Sequence, residues 1–191
     1  MKVAALLTTL FLLVSLPALA QDHGEVGIYG EYLRFSPASD VNLGGLGARL
    51  SLNATRIFKF EAEMGYNFQQ TFPERYSNGV SFTTVQSNIR VLDGLFGPTL
   101  QTNVGPVRAF VTAKGGFVNT AFSSRSPVPG FVSQIDALRK SNVDGAFYPG
   151  GGIEGFLGPI GLRLDAGDEM IFAGNGPYHN LRITFGPTIR F

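Results

Sequence analysis

Side chains able to do catalysis are scarce in this sequence, which holds two histidines and no cysteine. His23 lies near the start, and His179 sits in Gly176-Pro177-Tyr178-His179-Asn180. Joined to Asp168 or Glu169 and to Ser123, Ser124 or Ser126, His179 would be the base of an acyl-transfer triad. A triad needs nucleophile and base within hydrogen-bond reach, and the serines fall on a different predicted loop from the histidine. His179 is therefore read as a solvated loop histidine, and no catalytic residue is assigned. Two separated histidines without thiols do not make a zinc set, so neither a metal nor a cofactor is expected. Gly150, Gly152 and Gly155 fit a dinucleotide-binding glycine pattern. That pattern works only where it opens a helix whose amides hold the pyrophosphate, and here Gly158-Pro159 and a strand pattern follow. Asn53-Ala54-Thr55 fits a glycosylation sequon by chance, within a turn.

The charged residues say more through their spacing. Lys59, Glu61 and Glu63 alternate with Phe58, Phe60, Ala62, Met64, Tyr66 and Phe68, with Gly65 and Asn67 continuing the polar series. A period of two sends successive side chains to opposite faces of a sheet. The same alternation sets Leu181, Ile183, Phe185, Pro187, Ile189 and Phe191 against Arg182, Thr184, Gly186, Thr188 and Arg190. It also sets Ile160, Leu162, Leu164 and Ala166 against Gly161, Arg163, Asp165 and Gly167, and Leu46, Ala48, Leu50 and Leu52 against Gly45, Gly47, Arg49 and Ser51.

These stretches and weaker ones predict eight strands, at 25–35, 43–52, 57–70, 85–102, 107–122, 145–157, 160–172 and 180–191. The links alternate in length. Short ones at 53–56, 103–106 and 158–159 are built of Asn, Gly and Pro, as tight turns require. The others, at 36–42, 71–84, 123–144 and 173–179, are expected to be longer loops. Alternating short and long links are a property of transmembrane barrels.

Met1-Lys2, the apolar run Val3 to Leu16, Pro17 and Ala18-Leu19-Ala20 read as a secretory signal peptide over 1–20, cleaved after Ala20. Residues 21–191 are then one domain. With 25 glycines, 17 phenylalanines and 15% charged residues, the chain is less charged than an ordinary soluble domain. A net charge of +1 gives no field for nucleic acid. The expected fold is all-β, an antiparallel up-and-down transmembrane β-barrel of eight strands. A soluble sandwich would also alternate, but its water-facing strands would gain nothing from so many glycines.

In such a barrel the polar faces point inward. Lys59, Lys114, Arg163, Arg182 and Arg190 then share the lumen with Glu31, Glu61, Glu63, Glu154 and Asp165, five cations against five anions. Charges withdrawn from water must be paired and hydrogen-bonded. An eight-stranded interior is just wide enough for side chains, so the set is read as a salt-bridged plug rather than a conducting pore.

The closing alternation, ending on Phe191, together with Gly94-Leu95-Phe96-Gly97-Pro98 and Asn180-Leu181-Arg182-Ile183, resembles the small bacterial outer-membrane barrel family of the OmpA/OmpX type. The resemblance implies an outer-membrane location in a Gram-negative cell. It makes Phe185, Ile189 and Phe191 a C-terminal signal for the barrel-assembly machinery, and implies contact with outer-membrane lipid and lipopolysaccharide. With nothing after Phe191, the peptidoglycan-binding domain of full OmpA-type proteins is not expected. The chain has no Trp, so an aromatic girdle would fall to residues such as Tyr29, Tyr32, Tyr66 and Phe122. Pro98, Pro149 and Pro187 fall inside predicted strands, where bulges or membrane-edge positions are expected. Loop 123–144, with Phe131, Val132, Ile135 and Leu138 beside Arg125, Arg139 and Lys140, is the candidate for a surface partner, and Ile135 to Lys140 fits a helical turn. The expected role is structural or surface-binding. A lipid-modifying enzyme of the lipid A deacylase or acyltransferase type, or a narrow channel, are the alternatives.

Overall fold

The computed structural model describes residues 23–36, 41–102, 105–124, 132–133, 143–174 and 176–191. The signal-peptide reading of 1–20 and most of loop 123–144 therefore lie outside the described residues. The strands are β1 (Gly24–Phe35), β2 (Val41–Asn53), β3 (Phe58–Ser77), β4 (Phe82–Gln101), β5 (Val107–Ser124), β6 (Val132–Ser133), β7 (Val143–Leu157), β8 (Ile160–Ala173) and β9 (Gly176–Arg190). All pairings are antiparallel, in the order β2-β1-β9-β8-β7-β5-β4-β3, and β2 pairs with β3 to close the ring of eight. The two-residue β6 lies against Tyr76 and Ser77 at the end of β3. Closure removes the open edges along the ring, while β3 beyond Asn67 and β4 before Ser87 project past their neighbours β2 and β5. At the seam, Phe191 donates its amide to the Gly24 carbonyl and accepts from the amides of His23 and Gly24.

Burial follows the dyad repeat in the sense expected. Lys59, Glu61 and Glu63 are buried, while Phe60, Met64, Tyr66 and Phe68 are exposed on the outer wall. On β3 the outward apolar run spans Phe58 to Phe68, ten residue steps. At roughly 3.3 Å per residue and a tilt near 40° this is a band about 25 Å tall. Below, the end holding Gly24 and Phe191 is called the terminal end, and the opposite one the distal end.

Beyond the band, at the distal end, the outer face turns largely polar and an apolar cluster forms inside. Outward positions become Arg34, Asn42, Gln69, Gln70, Thr71, Arg75, Gln86 and Asn88. Inward positions become Leu33, Phe35, Val41, Leu43, Phe72, Ile89, Val91, Val118 and Ile171, which form one buried cluster. The sole register shift in the β3–β4 ladder lies between Asn67 and Gln70, where this change occurs. A bulge changes which positions of the strand face outward, and here it carries the strand out of its apolar stretch into a polar one.

This distal extension corrects the expected loops. Most of 71–84 is strand, because β3 and β4 run on for 20 residues each. Only Asn78 to Ser81 turn, with Gly79 at φ 86° and the Asn78 side chain accepting from the amides of Val80 and Ser81 at 3.0 and 2.7 Å. Likewise β8 runs to Ala173 and β9 begins at Gly176, so most of 173–179 is strand, and Gly174 has φ 64°. The polar outer surface there lacks the oily alternation that marks a strand within the band, although pairing continues.

The prolines correct a second expectation. Pro98, Pro149 and Pro187 all point outward within strands, and no register shift accompanies any of them. Strands meet closely beside them: a Cβ on Gly186 would lie 2.0 Å from the Ile28 carbonyl oxygen and 2.6 Å from Tyr29 Cα. Those obstacles are backbone and cannot rotate away. Gly186→Ala is expected to cost about 1–3 kcal/mol in urea titrations. Gly44→Ala, where nothing lies within 4 Å, is expected to stay within about 0.5 kcal/mol of the parent.

Candidate functional site

Eight strands project long charged side chains into one narrow interior. Near the terminal end, Lys59 Nζ lies 2.9 Å from Glu25 Oε2 and 3.0 Å from Glu154 Oε2. Arg190 approaches Glu25 at 3.5 Å and stacks over the Phe156 ring at 3.6 Å. One step further in, Arg163 donates to both oxygens of Glu61, at 2.6 and 2.9 Å, a two-pronged contact that fixes the guanidinium plane. Its other face lies 3.7 Å from the centroid of Phe110. Lys114 bridges Glu61 and Glu63 at 2.9 and 2.6 Å. Arg49 donates to Glu63, and Asp165 lies 3.2 Å from Arg163 and accepts from the Tyr148 hydroxyl.

Arg182, fully buried, is the most heavily shared cation. Its guanidinium lies 3.0 Å from Glu63, 3.1 Å from Glu31, 3.5 Å from Asp93 and 3.4 Å from Glu169. It also donates to the Tyr29 hydroxyl at 3.1 Å. Asn67 donates to Glu31 at 2.8 Å. The inward glycines seat these groups. The Tyr29 ring occupies the place of a Gly47 side chain, and the Glu31 and Asp93 carboxylates converge over Gly65.

All ten charged residues placed in the lumen from the sequence lie on the inner wall, with Arg190 less buried than the rest. Sequence reasoning missed Glu25, Arg49, Asp93 and Glu169. Arg49 and Glu25 stood on faces already read as polar, and the parity of Gly161, Arg163, Asp165 and Gly167 continues to Glu169. Asp93 lies among Val91, Gly94 and Leu95, where no alternation marks it. Tyr29 and Phe122, expected in an outer girdle, face inward: Tyr29 is buried and Phe122 packs on the distal apolar cluster. Both share parity with inward charges, Tyr29 with Glu31 and Phe122 with Lys114. Tyr32 and Tyr66 do lie outside.

His179 pairs with Asp168 on the outer wall, Nδ1 to Oδ2 at 2.5 Å, with both side chains well exposed. Asp168 also accepts from the Asn180 amide at 3.1 Å. The neighbouring Glu169, the other acid weighed as a partner for His179, points the opposite way into the lumen. Ser123 lies on β5, separated from β8 by β7, and no hydroxyl among the described residues bonds His179. Ser126 lies outside the described residues.

No protein-family model matches the chain, and no curated protein sequence matches it. Solved structures do. The outer-membrane protein OprG of Pseudomonas aeruginosa superposes with a TM-score of 0.54 at 9% identity, covering 90% of this chain and 97% of that one. Ail of Yersinia pestis, the attachment invasion locus protein, in complex with the heparin analogue sucrose octasulfate, gives 0.52 at 14% identity over 90% and 98%. Neisserial surface protein A gives 0.52 at 10% identity over 88% and 96%. The chain has the fold of the small eight-stranded outer-membrane barrels.

Proposed function

We propose that this chain is a non-enzymatic, non-conducting outer-membrane barrel, anchored by its apolar band and acting through its distal rim. The observation that carries the reading is the change of polarity along the strands: oily outside and ionic inside over about 25 Å, then a largely polar outer face around an interior that holds an apolar cluster. A wall of that kind matches hydrocarbon along the band and water above it. The distal extension would then stand outside the cell, with loop 123–144 beside it as the candidate contact for a surface partner and the rim in touch with lipopolysaccharide. Export through cleavage after Ala20, and recognition of Phe185, Ile189 and Phe191 by the assembly machinery, belong to the same proposal.

Two layers argue against conduction. The ion pairs fill the lower lumen, and the apolar cluster of Leu33, Phe35, Leu43, Ile89, Val91 and Ile171 fills the upper one, each of these at 0% exposure. An ion would meet a closely packed, largely apolar layer that replaces little of its hydration. Purified barrel in planar bilayers is therefore expected to show no stepwise conductance, and Lys59→Ala or Glu61→Ala is expected to leave it silent. Regular unitary steps from the parent protein would overturn the plug reading.

The exposed His179–Asp168 pair is the one feature that favours a lipid-modifying enzyme, since an oriented imidazole is half of a hydrolytic centre. Barrel reconstituted with lipid A is expected to release and transfer no acyl chain. Acyl release lost in His179→Ala would replace the non-enzymatic reading with the enzymatic one.

A further inference from the structure

The lumen charges divide into two groups that differ in balance. Toward the terminal end, Arg49, Lys59, Lys114, Arg163 and Arg190, with Arg108 over the Phe156 ring, face Glu25, Glu61, Glu63, Glu154 and Asp165, six against five. Above them Arg182 is the one cation in contact with Glu31, Asp93 and Glu169, and it also pairs with Glu63, so carboxylates outnumber cations around it. All three acids are buried, with Asp93 and Glu169 at 0% exposure. Isolated ionised carboxylates in such a place are strongly disfavoured.

Three of the six carboxylate oxygens also lack a hydrogen bond. Neither oxygen of Glu169 accepts a hydrogen bond, and Asp93 Oδ1 accepts none. One oxygen from each of Glu31, Asp93 and Glu169 lies within 4.8 Å of the others. Oxygens on opposite sides of a calcium ion stand about 4.6–5.2 Å apart, twice the Ca–O distance. Their convergence requires glycine at position 65: a Cβ there would lie 2.4 Å from Asp93 Oδ1 and 2.7 Å from Glu31 Oε2.

We infer that Glu31, Asp93 and Glu169 form a binding site for one hard divalent cation, of the calcium or magnesium class, enclosed in the lumen beneath the distal apolar cluster. All-oxygen ligation suits that class and no softer metal. Glu169 accepts no hydrogen bond on either oxygen, and a doubly charged ion would offset the local excess of carboxylate. With the cluster above and the ion pairs below, the cation enters while the barrel closes and is then retained, as a structural metal whose binding is coupled to folding. This goes beyond the rim-acting role proposed above and stands or falls separately from it.

The test is refolding of the urea-denatured chain into detergent micelles with either calcium or EDTA, with a heat-modifiable gel shift as the control for a closed barrel. Protein folded with calcium and then desalted is expected to keep one calcium per barrel by elemental analysis, and to unfold at higher urea than protein folded in EDTA. Asp93→Asn/Glu169→Gln is expected to retain at least tenfold less calcium and to show a urea midpoint indifferent to the metal. Should the double variant not fold, Asp93→Asn alone is expected to show the same loss in lesser degree. Folded parent protein that retains no calcium, magnesium or manganese would overturn the site. So would equal retention by a folded variant, which would place the metal elsewhere. A carboxylic-acid infrared band in the parent, lost in the double variant, would assign the excess charge to bound protons instead.

Discussion

Glu61→Ala is expected to destabilise the folded barrel by about 3–5 kcal/mol, because it strands buried cations rather than deleting a surface contact. Glu61 lies within 2.6 Å of Arg163, 2.9 Å of Lys114 and 3.4 Å of Lys59, none of them reachable by solvent to any useful extent. Asp165, Glu63, Glu25 and Glu154 partly compensate, which keeps the loss from being larger. Urea titration of protein in vesicles measures it. The Glu61→Ala/Arg163→Ala double variant is expected to lose much less than the sum of the two single changes, since each residue's burial depends on the other. Additive losses would mean that the two side chains do not share an interaction.

An arginine placed on the outer wall should be tolerated or not according to height alone. Met64 sits near the middle of the apolar band and points outward, so Met64→Arg is expected to cost about 2–4 kcal/mol in vesicles. Gln86, also outward but beyond the band on β4, is expected to accept arginine within about 1 kcal/mol. The contrast matters because both sites are exposed strand positions on the same barrel. Only a surrounding hydrocarbon layer distinguishes them. Equal costs at the two heights would remove the basis for placing the band in a bilayer.

The parts of this structure that were legible from sequence are those where one physical rule acts alone. Within the apolar band, lipid-type surface on one side and a charged interior on the other force a strict period of two. Phe58 to Phe68 and Leu181 to Phe191 could thus be assigned faces from residue types. Above the band both faces contain mixed residues. Phe72, Glu74 and Tyr76 face inward from a segment whose outer neighbours are Thr71, Pro73 and Arg75, and such a stretch reads as a loop. Tyr29 is misplaced when residue type alone assigns it to a girdle, whereas its parity with Glu31 and the space over Gly47 put it against Arg182 and Arg49. Pairing inside the lumen was not legible at all. It depends on which strands face each other across the ring: Arg163 on β8 meets Glu61 on β3, though their sequence positions are 102 apart.

The central claim is that apolar side chains of the band face outward into hydrocarbon while charged ones face a closed interior. The chain has no cysteine, so single spin labels can be placed without background at Phe60 and Phe185, both on the outer wall. In vesicles, both labels are expected to collide readily with dissolved oxygen and to be shielded from a water-soluble nickel relaxant. A label at Gln86 is expected to show the reverse. Free access of the nickel reagent to Phe60 and Phe185 in the folded protein would contradict the inside-out wall, and with it the membrane placement.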